Sequence, residues 1–247
     1  KETTWGVIGP RAVIMAWGGS AYDTKRNAFV FNGGGHVDYG GNEVYAFFLE
    51  ELKWRRLTEP SAMKQLDTNQ YVTTDDAPVS THTYDGLEYL PNVDRIFRNG
   101  GSEWKSGHNF DLSAWLFDMD GRRWLKRSAG GGGIVGTAYD PVRGTVYIVG
   151  RHFVDEYDPV KDEWTRRVKG QGNFAPGVTA LDPVNRKIIT NSHRNTGIIS
   201  YAIGPDGQLT GRTFETTKGA TEWDKRMGAL EYDPQRKVLV AWAGGRE

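Results

Sequence analysis

Five histidines stand at comparable points of the chain, close to short glycine-bearing or polar tracts. His36 follows Gly33-Gly34-Gly35, His108 comes a few residues after Gly100-Gly101, and His152 follows Gly150-Arg151. His193 follows Asn191-Ser192, and His82 lies within Ser80-Thr81-His82-Thr83-Tyr84. Imidazole is the side chain most readily tuned to exchange protons near neutral pH, and it is a common metal ligand. Other polar groups travel with these histidines: Asp38 and Tyr39, Arg98, Trp104 and Lys105, Arg151, Arg194, and Arg246. His36, Tyr39, His108, His152 and His193 are the candidates for acid–base work. A ligand surface is expected from His36, Asp38, Tyr39, His82, Arg98, Trp104, His108, Arg151, His152, His193 and Arg194. No His-x-x-His pair occurs, and His36-Val37-Asp38 is only a fragment of a ligand set. No metal residues are assigned and no cofactor is expected; a divalent ion at the histidine-lined face is the alternative.

Composition narrows the function classes. Lys+Arg and Asp+Glu are both 31, so the formal net charge is zero. No basic surplus steers the chain onto a nucleic acid or an anionic membrane. No apolar run approaches the roughly 18 residues that a membrane-spanning helix needs, so no membrane insertion is expected. The opening Lys-Glu-Thr-Thr-Trp shows no secretory leader. There is no cysteine, which excludes disulfides, thiolate metal sites and thiol nucleophiles. The 32 glycines and nine tryptophans point to short strands joined by tight turns.

The elements that must position the histidines come from a repeat. One hairpin recurs as Tyr22-Asp23-Thr24-Lys25-Arg26, Tyr139-Asp140-Pro141-Val142-Arg143, Leu181-Asp182-Pro183-Val184-Asn185-Arg186 and Tyr232-Asp233-Pro234-Gln235-Arg236. Asp can accept hydrogen bonds from the backbone that follows it, so this tract is a turn with a mechanism. A second hairpin places an aromatic seven residues before a tryptophan: Phe47 and Trp54, Phe117 and Trp124, Tyr157 and Trp164. Between the two hairpins comes a strand ending in glycine, as in Ile96-Phe97-Arg98-Asn99-Gly100-Gly101. Four strands, a to d, at a period of some tens of residues mark a propeller blade.

Gly-Gly closing strand b, an aromatic with Asp in strand c and Trp opening strand d resemble the kelch repeat, as in the central domain of galactose-oxidase-like proteins. The resemblance covers nearly the whole chain and departs from the pattern at Thr190-Asn191-Ser192 and Gln208-Leu209. It implies an all-β, kelch-like β-propeller in a single domain. Four complete blades are expected over 11–60, 77–128, 133–169 and 175–217, with a partial fifth over 226–247. A propeller closes its ring, so the chain reads as a fragment of a ring of about six or seven blades. The cross-linked copper cofactor of kelch-built oxidases requires a cysteine, which this chain lacks.

Strand order in such a blade puts the b–c and d–a connections on one face, and the five histidines fall on or beside them. The family implies a non-catalytic binding module with a glycan or protein partner on that face, in an extracellular or virion-associated setting. A propeller-fold polysaccharide lyase using His, Tyr and Arg there is the alternative. The segment Glu59–Pro78 is long for a loop and suggests a lid or partner contact, and Trp17 and Trp104 stand outside the strand-d position, where an aromatic could stack on a sugar.

Overall fold

The computed structural model describes residues 6–66, 70–105, 111–170, 176–192, 198–215 and 228–242. Its regular elements are almost all antiparallel strands, set in a β-propeller arrangement. The chain divides into two compact units, Lys1–Ile134 and Val135–Glu247.

The first unit holds two four-stranded blades. Blade one runs β1 (Ser20–Asp23), β2 (Ala28–Phe31), β3 (Tyr45–Phe48) and β4 (Lys53–Arg56) in simple order. After it come two short strands, β5 (Met63–Gln65) and β6 (Tyr71–Thr73), paired with each other, and β7 (Thr81–His82). Blade two is made of β8 (Leu87–Leu90), β9 (Arg95–Arg98), β11 (Ser113–Asp118) and β12 (Arg123–Ala129). The intervening β10 (Ser102–Glu103) leaves the blade to pair with β7. Alternate residues of β1, β2, β3, β8, β9 and β11 point inward, and Ala21, Val30, Ala46, Leu87, Ile96 and Phe117 share one core between the blades.

The second unit repeats the plan. Blade three is β13 (Gly136–Asp140), β14 (Thr145–Val149), β15 (Phe153–Asp158) and β16 (Glu163–Lys169). Blade four is β17 (Pro176–Asp182), β18 (Lys187–Ser192), β19 (Ile198–Ile203) and β20 (Leu209–Glu215). A two-stranded sheet of β21 (Ala229–Asp233) and β22 (Val238–Trp242) follows. Tyr147, Val149, Ile188, Ile199 and Tyr201 form the core between blades three and four.

Local sequence explains the hairpins. Each aromatic–Trp pair faces across its c–d hairpin, with ring centroids 5.2 Å apart for Phe47 and Trp54, 5.0 Å for Phe117 and Trp124, and 4.8 Å for Tyr157 and Trp164. In the a–b turns Asp23, Asp140, Asp182 and Asp233 each accept two backbone N–H groups from the residues just after them. In two of these turns the arginine also forms ion pairs with a neighbouring blade. Arg26 of blade one binds Asp94 and Asp120 of blade two as well as its own Asp23. Arg186 of blade four makes two 2.7 Å bonds to the fully buried Asp140 of blade three.

Two stretches differ from the sequence-based expectation. Residues 11–19 were expected to open blade one, but the helical turn α1 (Ala12–Met15) occupies them before β1. It buries Ala12, Val13 and Ala16 against Tyr39. The long connection 59–78 is not irregular throughout, since it carries the β5–β6 ribbon.

Removing the cross-blade guanidinium leaves a buried carboxylate without its counter-charge. Arg186→Ala should therefore destabilise the second unit, and Arg26→Ala the first, each by about 1–3 kcal/mol in urea unfolding. Arg26 holds the Asp94 carboxyl far below its ordinary range. Its contribution is complete above the unfolded carboxyl pKa near 4 and is lost as pH falls below that. The Arg26→Ala deficit should shrink correspondingly in acid.

Candidate functional site

One cluster of polar side chains in the first unit has the makings of a site. Its parts come from four places: the segment before blade one, the β2–β3 connection, the segment ending in β7 and Tyr84, and the β9–β11 connection. Backbone packing brings them together. The Gly33–Gly35 tract lies against the segment leading to β7, where Ser80 Oγ accepts the Gly35 N–H at 2.8 Å. A Cβ on Gly35 would sit 2.2 Å from the His82 nitrogen, so only glycine permits this approach. On the other side His82 pairs with Ser102 across the β7–β10 ribbon.

His82 is the centre. Its Nε2 lies 2.6 Å from Asp38 Oδ2, and its side chain is 7% exposed. A carboxylate only accepts hydrogen bonds, so His82 donates from Nε2 and keeps the Nδ1 lone pair as an acceptor when neutral. Burial pushes the His82 pKa below the ordinary histidine value, while the Asp38 contact pulls it up and His36 pushes it down. The His36 ring stacks on it with centroids 5.4 Å apart and planes 16° from parallel. Tyr84 meets it edge-on at 5.9 Å, and the Tyr84 hydroxyl is 3.1 Å from Ser102 Oγ. Trp17 extends the row, 6.3 Å from the Tyr84 ring and 56% exposed.

The backbone here is under local strain. Trp17, His36, Tyr84 and Lys105 all have φ between 50° and 57°. Most other non-glycine residues with positive φ close hairpin turns, as Asn27, Leu52, Arg122 and Asp162 do. The four in the cluster are tied to one another: the Tyr84 N–H bonds Trp17 O at 2.7 Å, and the Lys105 N–H bonds His36 O at 2.5 Å. Such conformations cost about 1–3 kcal/mol each and concentrate at functional sites.

Of the residues expected from sequence, His36, Asp38 and His82 come together. Three others turn inward. The Tyr39 hydroxyl donates to Glu43 Oε1 at 2.7 Å, and its ring packs on α1, 3% exposed. Trp104 is 3% exposed, packed with Tyr71 and Val79. Arg98 is 1% exposed; it donates to Asn32 Oδ1, Val79 O and Thr81 Oγ1 beneath the ribbon. None of these three can meet a ligand at the surface, because each completes a buried contact that its neighbours require. Arg151 and His152 are exposed on the β14–β15 connection of the second unit. His108, His193, Arg194 and Arg246 lie outside the described residues. Tyr84 and Ser102 were missed. The signal for Tyr84 was its place two positions after His82 in the Ser80-Thr81-His82-Thr83-Tyr84 tract.

No family model matches the chain, and no curated protein matches it. Solved structures do resemble it. A streptogramin B lyase aligns over 90% of this chain and 60% of its own, with a TM-score of 0.53 and 9% identity. An auxiliary nutrient binding protein from Bacteroides thetaiotaomicron VPI-5482 aligns over 94% of this chain and 50% of its own, with a TM-score of 0.55 and 11% identity. The chain thus spans 60% and 50% of the length of these two structures. At such identities the likeness establishes the propeller fold alone.

The geometry of the dyad makes a titration prediction. In histidine-resolved NMR, His82 should titrate below the usual value near 6.5. Asp38→Asn should lower it further by removing the stabilising carboxylate, and His36→Ala should raise it. A His82 pKa that rises in Asp38→Asn would contradict the assigned contact.

Proposed function

We propose that the chain is a β-propeller binding module whose ligand is a glycan, bound at the His36–Asp38–His82–Tyr84 cluster with Trp17 as its apolar platform. The observation that carries this is Trp17. A large, mostly exposed indole is held in a left-handed backbone conformation at the end of a row of polar rings. A sugar presents a C–H face and a rim of hydroxyls. The indole suits the first, while the Asp38 carboxylate and the His36 imidazole suit the second. The nutrient-binding neighbour supports the reading only as an analogy of fold. Glycan binding fits the extracellular or virion-associated setting that the repeat suggests.

A second reading is a polysaccharide lyase, favoured by one observation. The 2.6 Å His82–Asp38 pair is the arrangement of a carboxylate-oriented general base, with Tyr84 beside it as an acid. In β-elimination on a uronate, the imidazole would take the C5 proton, the C4–O bond would break, and the leaving oxygen would be protonated. The binding reading is preferred because His82 is nearly enclosed, which leaves its imidazole little access to a substrate carbon.

A glycan array followed by calorimetry on the best ligand tests the proposal. Trp17→Ala and Asp38→Asn should each weaken binding by about tenfold, equivalent to ~1.4 kcal/mol. Unchanged affinity in both variants would overturn the site. Release of an unsaturated, ultraviolet-absorbing product from a uronate polymer, abolished in His82→Ala, would replace the binding reading with the lyase.

A further inference from the structure

The first unit also contains a cavity of about 310 Å³ that shares no residue with the cluster above. It lies between the chain leaving β4, at Leu57 and Glu59, and the β11–β12 hairpin, at Arg122, Arg123 and Trp124. A second hollow of about 270 Å³ lies beside it and shares Leu57 and Arg122 with it. The volume is in the range of a small-ligand site.

The charges on its wall are unequally satisfied. Glu59 already holds Arg56 at 2.6 Å, and Asp75 accepts the Ser61 hydroxyl at 2.8 Å. Arg122 and Arg123 make no ion pair among the described residues; Arg123 is only influenced by Asp118 at longer range. Most other arginines of this unit do have carboxylate partners: Arg26, Arg55, Arg56 and Arg95. The Trp124 ring lines the same wall. Its Nε1–H is enclosed and meets no acceptor, although its ring is fixed against Phe117.

We infer that this cavity binds an anionic oxyacid group, a carboxylate or a phosphate, through the Arg122 and Arg123 guanidiniums. Two planar forks suit the paired oxygens of such a group. The apolar Leu57 and the Trp124 ring would line the ligand's uncharged portion. This second site stands independently of the glycan proposal.

Indole N–H resonances of the full chain provide the test. The Trp124 signal, assigned by its loss in Trp124→Phe, is followed during titration with sodium phosphate, sodium galacturonate and neutral galactose at constant ionic strength. The proposal expects a saturable downfield shift with at least one anion and none with galactose. The Arg122→Gln/Arg123→Gln double variant should weaken the response by about tenfold, while the other indole signals report that it remains folded. Trp17→Ala should leave the response unchanged, which separates this site from the first. Stronger binding of galacturonate would identify a uronate as the source, and stronger binding of phosphate a phosphate ester. No saturable shift, an equal shift with galactose, or an undiminished response in the double variant would overturn the inference.

Discussion

A guanidinium buried between two blades is the constraint on which the first unit depends. Arg98 sits at the end of β9 with 1% exposure, and burial pushes its pKa down to about 10. Its bonds to Asn32 Oδ1, Val79 O and Thr81 Oγ1 join blade two to the β2–β3 connection of blade one and to the ribbon that carries His82. Enclosing a charge is costly, and these bonds meet the donors of both terminal nitrogens while Nε is left without a partner. The surrounding loops therefore have little freedom to move without exposing or orphaning it. Asn32 passes the constraint on by donating to the Asn42 carbonyl at 2.9 Å. Asn99, at the equivalent place in blade two, donates to Ser113 O and Gly130 O.

On this fixed base the site can tolerate local strain. His36, Tyr84, Trp17 and Lys105 hold unfavourable backbone angles, and hydrogen bonds between them keep those angles in place. The consequence is a row of rings running from an enclosed imidazole to an exposed indole. Polar chemistry lies at one end and apolar surface at the other. The carboxylate of Asp38 orients His82 from the opposite connection, so the row has a defined hydrogen-bonding polarity.

Much of the architecture was legible because it is local. Asp in an a–b turn and an aromatic seven residues before Trp specify hairpins through contacts only a few residues apart. The site was only partly legible. His36, Asp38 and His82 were recognised by residue type, but the Asp38–His82 contact spans 44 residues of sequence. Arg98 and Tyr39 looked like surface groups because they flank glycine tracts, yet each is drawn inward by a partner, Asn32 or Glu43, that no local pattern announces. The β7–β10 pairing is likewise nonlocal, and it decides which residues of the β9–β11 connection face His82.

The most direct measurement is a crystal structure of the chain with an oligosaccharide bound. The account predicts a sugar ring lying on the Trp17 indole, with a hydroxyl at about 2.6–3.2 Å from His36 or Asp38. A sugar bound elsewhere, with Trp17 uncovered and the His82–Asp38 pair untouched, would contradict it.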